Sequence, residues 1–180
     1  MITTMDLHDS ICNFLEKEVA SKIQLKSTNS NEEEFFRNPR VVRSGWLLPG
    51  SIDEKQDYST PIEDAYPFIM PRIHKVEHIG GQVESVVTMD VFFGVYAKVL
   101  FDEDGIRVND GSGYRDLWNL IESTGQAFFE QQIIDGKYRI IQDFFEANTI
   151  DELMYPQWEG VCTTKWHIML PMPKPVQNFF

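Results

Sequence analysis

Residues Val83–Tyr96 read VESVVTMDVFFGVY, and the period of this stretch decides the fold. Val83, Val87, Met89, Val91, Phe93 and Val95 share one parity, while Glu84, Thr88, Asp90 and Tyr96 share the other. A period of two places alternate side chains on opposite faces of a strand, so one face is apolar and the other polar. Gly80-Gly81 marks a turn before it, and an acidic, glycine-rich excursion, FDEDGIRVNDGSG (Phe101–Gly113), follows it.

Outward from that strand the period changes. Leu7, Ile11, Phe14, Leu15, Val19 and Ile23 recur every three or four residues. They predict a helix capped by Thr3 or Thr4 and running to about Ile23. A second helix is predicted from Gly113 to about Ile134, with Ser112 as cap. Tyr114, Leu117, Trp118, Ile121, Phe128 and Ile133 form its apolar stripe, and Gly125 leaves room for a close neighbour. Asp135-Gly136 is expected to end it. Further strands are predicted at Tyr66–His74, where Pro71 suits an edge, at Tyr138–Phe145, and at Trp158–Leu170. The order is α-β-β-α-β-β. The expected fold is α+β, a single sheet of about four mainly antiparallel strands flanked by two helices. Residues 1–180 are expected to form one domain. An irregular arm spans about 26–65, carrying Trp46, Leu47 and Leu48 as an apolar island, and a proline-rich tail covers 171–180.

Composition narrows the function. Lys and Arg total 16 against 28 Asp and Glu, a formal charge of -12, which gives no general grip on a phosphate backbone or an anionic membrane. Arg37, Arg40 and Arg43 are the one short basic cluster. No signal peptide and no membrane span are expected, so the expectation is a soluble protein made in a cytoplasm. Cys12 and Cys162 fall on a helix and a strand, and both read as small core residues. Aromatics reach 13%; any single ring reads first as core packing, with interfaces as the alternative use of the surplus.

Candidate chemistry is thin. His74 and His78 have a spacing that suits a metal only on a helix, and His8 and His167 supply no third ligand. Asp102, Glu103, Asp104 and Asp110 have the composition of a calcium loop without its spacing. Gly80-Gly81-Gln82 matches a release-factor tripeptide in three residues only, and the acidic charge is wrong for ribosomal RNA. Gly111-Ser112-Gly113 precedes a helix, but no Lys follows to complete a phosphate loop. No catalytic, metal or cofactor site is expected, and the chain is not expected to be an enzyme.

Four stretches occur in order: Tyr66–Arg72 (YPFIMPR), Val86–Tyr96 (VVTMDVFFGVY), Gly113–Glu122 (GYRDLWNLIE) and Trp158–Trp166 (WEGVCTTKW). Together they resemble the tail terminator, or tail completion, proteins of tailed bacteriophages, and Val41–Pro49 (VVRSGWLLP) resembles the segment upstream in that family. The resemblance covers about Tyr66–Pro173. The acidic run Asn29–Glu34 and the tail after Pro175 have no counterpart in it.

The resemblance implies a structural virion protein at the tail–neck junction, assembled in the host cytoplasm. It would form a ring, about six copies, that caps the tail tube, ends its polymerisation and offers a joining face to the head. Its partners would then be other copies of itself, the tail tube protein and a neck or head-completion protein. Genomic DNA would only pass through the lumen, and no membrane is involved. Candidate subunit contacts are Phe101, Asp102, Glu103, Asp104 and Asp110 in the excursion, and Trp46 in the arm. The alternative readings are a head-closure or connector adaptor subunit and, more remotely, a metal-dependent enzyme.

Overall fold

The computed structural model describes residues 3–28, 34–46, 65–78, 84–97, 100–108, 111–150 and 156–169. Gly80-Gly81, Asp110 and the 171–180 tail lie outside the described residues.

Helix α1 covers Thr4–Glu18 and is held at its start by a reciprocal cap. The Thr3 hydroxyl accepts from the Asp6 N–H at 3.1 Å, and the Asp6 carboxylate accepts from the Thr3 N–H at 2.7 Å. The helix stops short of the expected Ile23. A single 3-10 turn, Ala20–Lys22, intervenes, and the chain then extends into strand β1, Leu25–Thr28. Strand β2, Glu34–Arg37, pairs with β1 as an antiparallel hairpin. Both strands, and the two-residue strand β3 (Arg40–Val41), lie within the span expected to be an irregular arm; residues 47–64 of that span are outside the described residues.

The body is a six-stranded mixed sheet in the order β3-β4-β5-β10-β9-β8. Here β4 is Phe68–His78, β5 is Glu84–Tyr96, β8 is Ile133–Ile134, β9 is Tyr138–Thr149 and β10 is Gln157–Met169. The pairing of β3 with β4 is parallel, and the other pairings in this sheet are antiparallel. Strands β6 (Leu100–Phe101) and β7 (Arg107–Val108) form a separate antiparallel hairpin. The second helix, α2, covers Ser112–Gln131.

The expectation of one four-stranded, mainly antiparallel sheet in α-β-β-α-β-β order is therefore corrected, although α+β with two α-helices holds. The physical reason is length. The short strands are two to four residues long, too short to display a period of two, and their conformation comes from pairing: β3 with the distant β4, the others with a hairpin neighbour. The end of α2 shows the same effect. Gln132, at φ 55°, leaves the helix, and Ile133–Ile134 becomes a strand instead of a last helical turn. Asp135 and Gly136 (φ 51° and 63°) then form the turn of the β8–β9 hairpin, closed by the Lys137 N–H donating to the Ile134 carbonyl at 3.0 Å. At the other end Gly111, not Ser112, is the cap residue.

Both helices dock on one face of the sheet. Leu7, Ile11 and Leu15 from α1, with Leu117, Leu120, Ile121 and Phe128 from α2, bury Val87, Met89, Val91, Phe93 and Val95 of β5. Cys162, Trp166 and Ile168 of β10 complete this core. Phe14 stacks on Phe128 at 5.6 Å and so ties the helices together. The gap left by Gly125 is filled by the Phe145 ring from β9.

The opposite face carries a second, smaller cluster of Tyr66, Phe68, Met70 and Tyr96. Phe68 lies flat over Gly94, where a Cβ would fall 2.1 Å from its ring. Strand β5 is thus covered on both sides over much of its length, and even Thr88 and Asp90, on its polar parity, are buried.

Candidate functional site

Two surfaces stand apart from this well-covered body, and each is built from identifiable local chemistry. The first is the β6–β7 hairpin. Asp102 folds its tip: the side-chain carboxylate accepts from the N–H groups of Asp104 (3.0 Å) and Ile106 (2.8 Å). The Asp102 N–H donates to the Ile106 carbonyl, and the Gly105 N–H donates to the Asp102 carbonyl, both at 3.0 Å. Gly105 sits at φ +76°, where a side chain would be strained. Of the residues with the composition of a calcium loop but not its spacing, Asp102 forms the turn. Asp102 is committed to the backbone, while Glu103 and Asp104 are exposed without a cationic partner among the described residues.

The apolar residues of this hairpin point outward. Phe101 and Ile106 are each 62% exposed, and Leu100 and Val108 are also exposed. A two-stranded hairpin has no interior in which to hide them. At the hairpin's chain-wise exit, Tyr114 of α2 stands half-exposed in edge contact with Trp118 (6.3 Å) and Trp158 (6.0 Å). The indole N–H groups of Trp118 and Trp158 are buried without an acceptor among the described residues.

The second surface is the sheet face opposite the helices. Register aligns Arg72, Asp90 and Thr163 across β4, β5 and β10, with Lys75, Thr88 and Lys165 in the next row. Asp90 is a bridge: it accepts from the Thr163 hydroxyl at 2.8 Å and faces His74 Nδ1 at 2.8 Å. An ionised carboxylate can only accept, so in this contact His74 donates from Nδ1. His74 reaches this position because it is the extra residue of a bulge between Ile73 and Lys75.

Two cations on this face rest on aromatic rings instead of carboxylates. The Arg72 guanidinium lies 4.5 Å from the Phe92 ring centre and 5.5 Å from that of Trp46, which is 71% exposed. Lys165 Nζ lies 4.1 Å from the centre of Phe144. In a chain with surplus acids, neither forms a salt bridge among the described residues, although Lys165 acts on the Glu77 carboxyl electrostatically. Each ring contact contributes about 0.5–2 kcal/mol and leaves the positive charge available.

The remaining reactive groups are held in structural positions. His8 is buried against the Pro71 carbonyl at 3.1 Å, and His78 meets the Ser85 hydroxyl at 2.9 Å. Burial pushes the Cys12 thiol up to about 11 and the Cys162 thiol higher still, so neither offers a thiolate near neutral pH. Tyr66 donates to Glu159 across the sheet, and burial first of all raises both groups above their ordinary ranges. Among the described residues no three His, Cys, Asp or Glu side chains converge as a metal ion would need. No helix among them is long and apolar enough to cross a membrane.

Of the candidate contacts named from sequence, the structure places Phe101, Asp102, Glu103 and Asp104 on one hairpin and Trp46 on the other surface, beside Arg72. Arg72, His74, Asp90, Phe144 and Lys165 were not anticipated as a group, because they come from four strands that only the register aligns. The polar parity of the Val83–Tyr96 strand was the one signal pointing to that face. No protein-family model matches the sequence, and a search of curated proteins finds no match.

Proposed function

We propose that this chain is a structural subunit of a tailed-phage neck, a tail terminator that closes into a ring on the end of the tail tube. The observation that carries the reading is the β6–β7 hairpin. It is folded by its own Asp102 and presents Leu100, Phe101, Ile106 and Val108 to solvent. A hairpin with its apolar residues outward suits a contact made after folding, since contiguous exposed apolar surface marks interaction sites. The ordered motifs from Tyr66 to Trp166 add the resemblance to tail terminators.

A ring also agrees with the charge. At -12 per chain, free copies repel one another, so closure would be favoured where a tube end supplies compensating contacts. A head-to-tail contact that closes by rotation yields a ring, and one that does not close yields a filament.

The reading is tested by adding the protein to isolated tail tubes and imaging them by electron microscopy. A ring at one tube end, and tubes of irregular length when the chain is omitted during assembly, are the expected results. Rings found only on head connectors would favour the adaptor reading, and absence of tube binding under all conditions would end the terminator reading.

A further inference from the structure

We propose that the acidic, apolar β6–β7 tip of one copy docks on the Arg72–Lys165 sheet face of the next copy. This deepens the ring reading above and rests on it. The two surfaces match in kind. The tip offers Phe101 and Ile106 for apolar contact and the carboxylates of Glu103 and Asp104, which have no cationic partner among the described residues. The face offers the exposed Trp46 ring, the partly covered Phe92 and Phe144 rings, and two cations, Arg72 and Lys165, that form no salt bridge among the described residues. Within one chain the tip does not cover that face, because Phe101 and Trp46 are 62% and 71% exposed.

A rival receiver exists between the helices, in the groove lined by Phe14, Glu18, Lys22, Ala127 and Glu130. The state of its cation decides against it. Glu18 and Glu130 would face the acidic tip, and Lys22, the one cation lining the groove, is already paired with Glu18 at 2.8 Å. The sheet face has acids of its own, Glu77, Asp90 and Glu146, and Lys165 acts on Glu77 electrostatically, but among the described residues Arg72 and Lys165 form no salt bridge and rest on rings. A guanidinium lying on an aromatic can still donate in its own plane to a carboxylate. Because tip and face are different patches, the contact is head-to-tail. Every copy then uses both surfaces once, as a closed ring requires.

The experiment is a charge exchange, read by native mass spectrometry of the free protein and by electron microscopy on isolated tail tubes. Glu103→Lys with Asp104→Lys should reduce ring formation about 100-fold, since like charges placed opposite each other oppose docking. Arg72→Glu with Lys165→Glu should do the same, and the four changes together should restore the ring. Circular dichroism checks that each variant is folded. Should the glutamate pair disturb folding, Arg72→Gln with Lys165→Gln removes the charges without reversing them and should weaken the ring by a smaller factor. Rings unaffected by either pair, or lost by both and not restored by the combination, would overturn this contact and leave the terminator reading standing. If the unmodified chain forms no ring in solution or on tubes, both proposals fall.

Discussion

Strand β5 and the β6–β7 hairpin are neighbours in the chain and use similar residues to opposite ends. In β5, Val87, Met89, Val91 and Phe93 lose all contact with water, while a few residues later Phe101 and Ile106 keep 62% of their surface in it. The difference lies in partners. Strand β5 has β4 and β10 on either side, helices below and the Tyr66–Phe68 cluster above. Among the described residues the hairpin's strands pair only with each other, and Asp102 fastens the tip. Hydrophobicity alone therefore does not locate the core of this protein; the number of long-range neighbours does. Fully burying a side chain such as Val or Phe is worth about 1.5–3 kcal/mol, and that gain exists in β5 and is still open in the hairpin.

The largest effect that would test this contrast is Val91→Asp. Val91 is fully buried opposite Cys162, and nothing in that core pairs with a carboxylate. A loss of about 4 kcal/mol or more is expected in urea unfolding. A variant as stable as the parent would mean that β5 is not the covered centre of the sheet.

Gly94→Ala examines the other face of the same strand. The added methyl would sit 2.1 Å from the buried Phe68 ring, which is itself held in edge contact with Tyr66 at 5.2 Å. With the ring hemmed in, overpacking is expected to cost about 1–3 kcal/mol, visible as a lowered Tm. A neutral result would show that the second cluster is loose.

These two positions also show how much could be read from sequence. The core face of β5, the start of α1, expected at Thr3 or Thr4, and the strand expected at Trp158–Leu170 were legible because their periods persist over many residues. The burial of the polar parity was not legible. It depends on Tyr66 and Phe68 covering Gly94 and Tyr96 at one end, and on His74, from the bulge in β4, and Thr163 flanking Asp90 at the other. For the same reason the excursion at Phe101–Gly113 could be marked out for contacts, whereas the Arg72–Lys165 face could not. Local composition reveals a turn, but an alignment across four strands exists only after folding.

Glu159 supplies a smaller, pH-dependent effect at the edge of that second cluster. Burial raises its pKa above the usual 4.5, and the hydrogen bond from Tyr66 only partly offsets this. The folded state thus holds the proton more tightly than the unfolded chain. The stabilisation is fully present below about 4.5 and is lost as pH rises through the higher folded value. Glu159→Gln, which keeps a hydrogen-bonding side chain without the titration, should flatten the stability profile just above pH 4.5 relative to the parent. Superimposable profiles would show that Glu159 is better solvated than its position indicates.

The smallest expected effect on stability is in the hairpin, and it bears most directly on the comparison. Phe101→Ser with Ile106→Ser replaces two large apolar side chains, a change that would be severe in β5. Here both are exposed, and the tip is held by backbone bonds and the Asp102 carboxylate, none of which involves either side chain. Removing surface that stays in water in both the folded and unfolded states leaves the unfolding free energy within about 0.5 kcal/mol of the parent. Amide exchange at Asp104 and Ile106 should likewise be unchanged, since their N–H groups still meet Asp102. The substitution should nevertheless abolish ring formation on tail tubes, because the apolar area that docking would bury is gone. A marked fall in Tm would place Phe101 and Ile106 in the folding core of the monomer. The contrast between strand and hairpin would then be one of degree, and the hairpin would have no surface left over for a neighbour.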